Sequence, residues 1–139
     1  MKRLPLLALG AGLLAATGTA MAATDLMTSI PSNSVTVTDW YKQNVYDPQN
    51  TKIGEIMDVL VSQDGRVNSV IVGVGGFLGA GEKDVAVDFN AIKRTTKNNS
   101  IYLTMNTTKD ALKSAPGFKY DSQTTTWVPD TSNGSRVSQ

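Results

Sequence analysis

Apolar and polar residues alternate along several short runs, and turn-forming residues separate them. The clearest run is Ile53 to Ser62, "IGEIMDVLVS", apolar except where Glu55 and Asp58 interrupt it. Asp64-Gly65 follows, a pair suited to the positive-φ positions of a tight hairpin. Val67 to Val74 returns with Val70, Val72 and Val74 on one face and Ser69, Ile71 and Gly73 on the other. A β-hairpin is therefore expected across Asp64-Gly65. "DVAVDF" alternates again, with Val85, Val87 and Phe89 inward and Ala86 and Asp88 outward; Ile101, Leu103 and Met105 share one face of "SIYLTM". Val35 to Val37 reads as a short strand, Thr38 or Asp39 as the cap of one helical turn through Trp40 and Tyr41, and Asn44 to Tyr46 as a short extended piece. Asp47 to Lys52 and "TKNN" are turns by composition, and Asn90 to Arg94 reads as a turn or a short helix. The one well-marked helix is "TTKDALKSAP", capped by Thr107 or Thr108, with Lys113 near its end and Pro116 beyond it. "GFKYDSQTTTWVPD" either adds a last strand or lies over the surface with Tyr120 and Trp127 as anchors. Five or six closely spaced strands with few helices predict a small all-β barrel or sandwich.

The N-terminus sets the expected compartment. Met1-Lys2-Arg3 is basic, Leu4 to Ala16 is apolar apart from its glycines, and Ala20-Met21-Ala22 has the small-x-small form of a cleavage site. That order predicts a secretory signal peptide cut after Ala22. The apolar run is well short of the roughly 20 residues a spanning helix needs. Export to the periplasm follows as the expectation. Taking 22 residues from 139 leaves 117, enough for one ordinary domain. The expected organisation is a signal peptide at 1–22, a flexible lead-in at 23–34, a barrel domain at 35–107, a helix and C-terminal extension at 108–129, and a disordered tail at 130–139.

Charge and composition narrow the chemistry. With Lys2 and Arg3 removed, 11 basic residues face 12 acidic ones, so the net charge becomes −1. Nucleic acid, bound chiefly through clustered Lys and Arg, is not expected as a partner. The chain has no His and no Cys, so the usual general base near neutral pH and the thiol nucleophile are missing. Zinc sites built on those residues are excluded as well. No nucleophile motif such as G-x-S-x-G occurs. A hydrolase working through Ser, Lys or Asp is the least favoured reading, and no catalytic residues or cofactors are expected.

"VGVGGFLGAGEKDVAVDF" places Gly73, Gly75, Gly76, Gly79 and Gly81 within nine residues. A phosphate loop needs a lysine directly after its last glycine and a hydroxyl residue after that. Here Glu82 takes the lysine's place and Asp84 follows Lys83. A dinucleotide site needs a helix to begin there, and the sequence continues into a strand pattern instead. The glycines are read as structural, bending a strand at Gly73 and turning a wide connection thereafter. Phe77 and Leu78 are the large apolar residues of that connection. They either fold back onto the barrel or form a contact surface.

Lys52 to Ile92 resembles a PRC-barrel domain. The likeness rests on Ile53-Gly54 opening a strand, Asp58 within it, the Asp64-Gly65 turn, the return strand ending in glycine, and Val85 to Phe89 as a "VAV-x-F" strand. Gly73 to Lys83 is similar to a "GVGGFLG-x-GEK" signature of an exported proteobacterial branch, and "NVYD" and "ALKSAPGFKYD" share that likeness. Asp88 stands where many relatives have proline. The resemblance implies a six-stranded β-barrel serving as a binding or assembly module, with no shared catalytic residues.

The leading expectation is thus an exported, non-catalytic adaptor. It would contact an envelope or inner-membrane protein complex, or a second copy of itself, through Phe77, Leu78, Trp40 and Tyr41. Core packing is an equal alternative for Trp40 and Tyr41. A small-ligand or cation binder using Glu82, Asp84 and Asp88 is the competing expectation, though the spacing matches no calcium loop and no metal ligand set is assigned.

Overall fold

A computed structural model of the chain describes residues 2–3, 10–15, 17–19, 25–75 and 82–133. The chain divides into two compact units, Met1–Asn33 and Ser34–Gln139. In the first, Leu13, Leu14, Leu26 and Ile30 are exposed. Residues 4–9 and 16 of the expected leader core, and its cleavage region (20–24), lie outside the described residues. Among the described residues no helix is long and apolar enough to cross a membrane.

The second unit is a sheet of eight strands: β1 (Asn44–Tyr46), β2 (Lys52–Val61), β3 (Val67–Val74), β4 (Lys83–Asp88), β5 (Ile92–Lys97), β6 (Ser100–Met105), β7 (Gly117–Asp121) and β8 (Thr126–Pro129). An α-helix, α1 (Lys109–Ser114), joins β6 to β7. The strand order is β5-β6-β1-β2-β3-β4-β7-β8. Every pairing is antiparallel except β1 with β6. The β2–β3 hairpin turns through Asp64-Gly65, where Gly65 takes φ 82° as the turn requires. α1 is capped by Thr108, whose hydroxyl accepts from the Ala111 N–H at 3.1 Å.

One face of the sheet carries the core. Val45, Ile56, Val70, Val72, Val74, Val85, Val87, Ile92 and Leu103 are buried together, with Trp40 and Leu112 packed among them. Each such aliphatic side chain contributes about 1.5–3 kcal/mol by leaving water. The ladder slips between Ile56 and Asp58. This bulge at Met57 keeps Ile56 and Val59 opposite the inward Val72 and Val70, and sets Asp58 opposite Ile71 on the second face. Ile71 is fully buried yet outside the main cluster. The β7–β8 hairpin is tied to Asp58, for the Trp127 indole Nε1–H donates to Asp58 Oδ2 at 2.8 Å, and Tyr120 meets Trp127 edge to face at 5.9 Å.

The all-β expectation stands, but the six-stranded closed barrel does not. Eight strands form, and β5 and β8 each pair with one neighbour among the described residues. Two causes account for the difference. "IKRTTK", read as a turn or short helix up to Arg94, pairs along its whole length with β6 as β5. The C-terminal "GFKYDSQTTTWVP" forms a hairpin of two strands rather than one. At the other end, Val35 to Val37 is not a strand. Thr36 caps a 3-10 turn over Val37–Asp39 by accepting from the Asp39 N–H at 3.1 Å, two residues before the expected cap. Asp88 acts likewise on Asn90, so Phe89 leaves β4 for a second 3-10 turn and packs against Trp40. Of the expected tail, Thr131–Asn133 forms a 3-10 turn, and residues 134–139 lie outside the described residues.

Candidate functional site

The glycine-rich connection leaves β3 after Val74 and enters β4 at Lys83, and the described residues at its two ends define a cleft. Gly73 sits opposite Glu55 on β2 and Asp84 on β4. A Cβ built on Gly73 would run into Glu82 Oε1 and meet Met57 Cγ at 2.9 Å. The glycine is therefore the space in which the Glu82 carboxylate lies. Gly54 is the more tightly constrained, because a Cβ there would meet the buried Val72 Cγ1 at 2.5 Å and the Gly73 carbonyl oxygen at 3.0 Å. Close approach, rather than a strand bend, explains Gly73. Gly75 has open space around its Cβ position. Gly76, Phe77, Leu78, Gly79 and Gly81 lie outside the described residues.

The cleft has a volume of about 360 Å³ and is lined by Lys52, Glu55, Gly73, Gly75, Glu82 and Lys109 among others. Two ammonium and two carboxylate groups thus ring a floor of glycine backbone. Lys52 Nζ lies 3.8 Å from Glu55 Oε2, with both side chains well exposed, a pairing that adds little to stability. Such a rim suits a polar, mixed-charge surface.

On the other side of Glu82 a second cleft, of about 330 Å³, runs along Lys83, Asp84, Pro116, Phe118, Lys119 and Asp130. Lys83 Nζ donates to the Lys113 carbonyl oxygen at 2.6 Å, tying β4 to the end of α1. Asp84 Oδ1 is buried without a hydrogen-bond partner among the described residues. Burial first, and the Glu82 charge second, push the Asp84 carboxyl above the ordinary carboxylate value.

The expected trio of Glu82, Asp84 and Asp88 does not come together. Asp84 and Asp88 stand four residues apart along β4, opposite Gly73 and Ser69, a separation of about 13 Å at strand rise. Asp88 Oδ1 already accepts from the Asn90 N–H at 2.7 Å. Among the described residues no group of three or more carboxylates is placed to hold a metal ion.

Trp40 and Tyr41 separate. Trp40 is only 4% exposed, its ring centroid 4.5 Å from that of Phe89, so this side chain belongs to the core. Tyr41 is half exposed, with Lys42 Nζ 5.5 Å from its ring centroid. The Asp58–Trp127 contact joins residues 69 apart in sequence, and its residue-level signal was an unexplained carboxylate inside an apolar strand.

No curated protein matches the chain. A family model described as the PRC-barrel domain matches residues 32–112, from before the Thr36-capped turn to Leu112 on α1. The match takes in β1 to β6 and leaves the β7–β8 hairpin beyond it. More than half of the chain is covered, and with its β-rich sheet and Gly54-opened β2 the chain belongs to the PRC-barrel domain family.

Proposed function

We propose that the chain is an exported, periplasmic PRC-barrel adaptor that works through protein contacts or self-association and catalyses no reaction. The observation that carries this reading is the connection between Gly75 and Glu82. It begins and ends in an open charged cleft, and its only large residues are Phe77 and Leu78. Apolar side chains flanked by a polar, charged rim have the composition of a contact patch. Half-exposed Tyr41 offers a further contact. The basic, apolar, small-residue order of the first 22 residues supports export. The lack of His and Cys supports a binding role over catalysis.

The test is Phe77→Ser with Leu78→Ser in the same chain, followed by crosslinked co-purification from the envelope and by light scattering. Loss of specific partners or of the oligomer, with an unchanged melting temperature, is the expected outcome. Unchanged partners and an unchanged oligomeric state in the folded variant refute it. Fractionation is expected to find the chain in the periplasm with Ala23 at its N-terminus.

A small polar ligand is the second reading, favoured by the buried Asp84 oxygen, which has no partner among the described residues, in its cleft. A ligand that prefers the native state raises the melting temperature. A calcium titration with no such rise removes the cation form of this reading.

A further inference from the structure

We propose that the free edge of β5 is a docking edge for an extended, acidic segment of a partner protein, which adds to the sheet as a ninth strand. The idea rests on the reading of the chain as a protein-binding module and gives it a second surface. In the sheet order β5 lies four strands away from β3, the strand that leads into the glycine-rich connection.

The backbone supplies the first argument. β5 and β6 pair from Ile92↔Met105 to Lys97↔Ser100 around a two-residue loop. Asn98 and Asn99 hold φ 49° and 60° in it, the twist that tight hairpins favour. The residues closing such a loop exchange hydrogen bonds, and the pattern then alternates. Lys97, Thr95 and Lys93 therefore bond to β6, while the N–H and C=O groups of Arg94 and Thr96 point to the open side. No strand other than β6 pairs with β5 among the described residues. An unpaired row of this kind is a template for another strand.

Charge supplies the second argument and selects the occupant. β5 reads "IKRTTK", with three basic residues and no acidic one. Arg94 is already engaged, its Nη2 3.6 Å from Asp39 Oδ2. Lys93 and Lys97 are exposed and share a face with Thr95, and with Tyr102 and Thr104 on β6. That face forms a groove of about 490 Å³. Its floor is braced by Tyr46 and Tyr102, stacked at 4.8 Å, and Lys97 Nζ sits 4.0 Å over the Tyr102 ring. Asp47 also lines the groove, but its Oδ1 accepts from the N–H groups of Gln49 and Thr51 and closes a turn. Edge lysines ordinarily keep a sheet from pairing with its own kind. A second copy would set Lys93 and Lys97 against their equivalents, and like charges opposed across strands are unfavourable. The same lysines favour a strand with carboxylates four residues apart, each facing one ammonium.

The probe is a capped heptapeptide, Thr-Glu-Val-Thr-Val-Glu-Thr, titrated into the full chain labelled for NMR. Saturable binding is expected, with slowed hydrogen exchange at the Arg94 and Thr96 amides. Lys93→Glu with Lys97→Glu is expected to weaken binding at least tenfold, and the milder Lys93→Gln, Lys97→Gln pair less so. The same peptide N-methylated at both valines keeps its charge, loses the donors that face β5, and is expected not to bind. The proposal is overturned if the methylated peptide binds equally well, or if no saturation occurs at millimolar peptide. It is also overturned if the unliganded chain dimerises with these amides protected, or if oligothymidylate binds there more tightly than the peptide. The Phe77→Ser, Leu78→Ser variant is expected to bind the heptapeptide normally, so failure at either surface is seen separately.

Discussion

Gly54→Ala isolates the packing on which the cleft is built. The added methyl would stand 2.5 Å from Val72 Cγ1 and 3.0 Å from the Gly73 carbonyl oxygen. Val72 is fully buried in the core cluster, and Gly73 is held in the β2 and β4 ladders. Neither neighbour is the free end of a flexible side chain, so the strands must part or Val72 must leave its rotamer. Overpacking of this kind costs about 1–3 kcal/mol. Replacing a strand glycine recovers about 0.5–1 kcal/mol of backbone entropy. The expected net loss is thus about 1–2 kcal/mol, which for a domain of this size lowers the melting temperature by roughly 3–10 °C. Val72→Ala removes the opposing methyl groups, so the double variant is expected to be less destabilised than the two single changes added together. Urea unfolding of the four proteins measures that coupling. A Gly54→Ala protein as stable as the original, or a strictly additive double variant, refutes the steric reasoning.

Three further outcomes follow from the same geometry. Trp127→Phe deletes the indole donor to Asp58 and is expected to cost about 1.5–3 kcal/mol, as hydrogen bonds to charged groups do, with hydrogen exchange rising first in β7 and β8. Asp84 has its folded-state carboxyl pushed above its ordinary value of 3.8 by burial and by Glu82. Its ionised form therefore weakens the fold in full above the raised value, and the penalty fades as pH falls through that value and is gone below the ordinary one. Asp84→Asn is accordingly expected to melt higher than the original at pH 7, with the gap closing in acid; a gap that widens on acidification contradicts the sign. Leu112→Ala removes the one buried side chain of α1 and is expected to cost about 2–5 kcal/mol, read from denaturant midpoints.

The sequence pattern revealed the parts of the fold where one face is buried and the other is not. β3 matches its expected bounds of Val67–Val74, and its alternation places Val70, Val72 and Val74 in the core as expected. β5 was hidden because it is an edge strand whose single fully buried residue is Ile92. A run of Lys, Arg and Thr carries no period-2 hydrophobic signal, so its pairing depends on β6. Local capping decided the 3-10 turns, since Thr36 and Asp88 bond the backbone ahead of them and override the apparent β alternation. Asp58 looked like a flaw in an apolar strand until a bulge turned it toward Trp127, a contact that no short window of sequence contains. Similarly, Gly73 read as a bend in its strand, whereas Gly54 and Gly73 are crowded by groups arriving from neighbouring strands and from Glu82.

The central claim is that this PRC-barrel chain acts by touching another protein through its glycine-rich connection. Site-specific photocrosslinking from position 77, in living cells and with position 65 at the β2–β3 turn as control, tests it most directly. The account expects discrete adducts from position 77 that contain a second polypeptide and are absent from position 65. Crosslinks from position 77 that stay within the chain would contradict it.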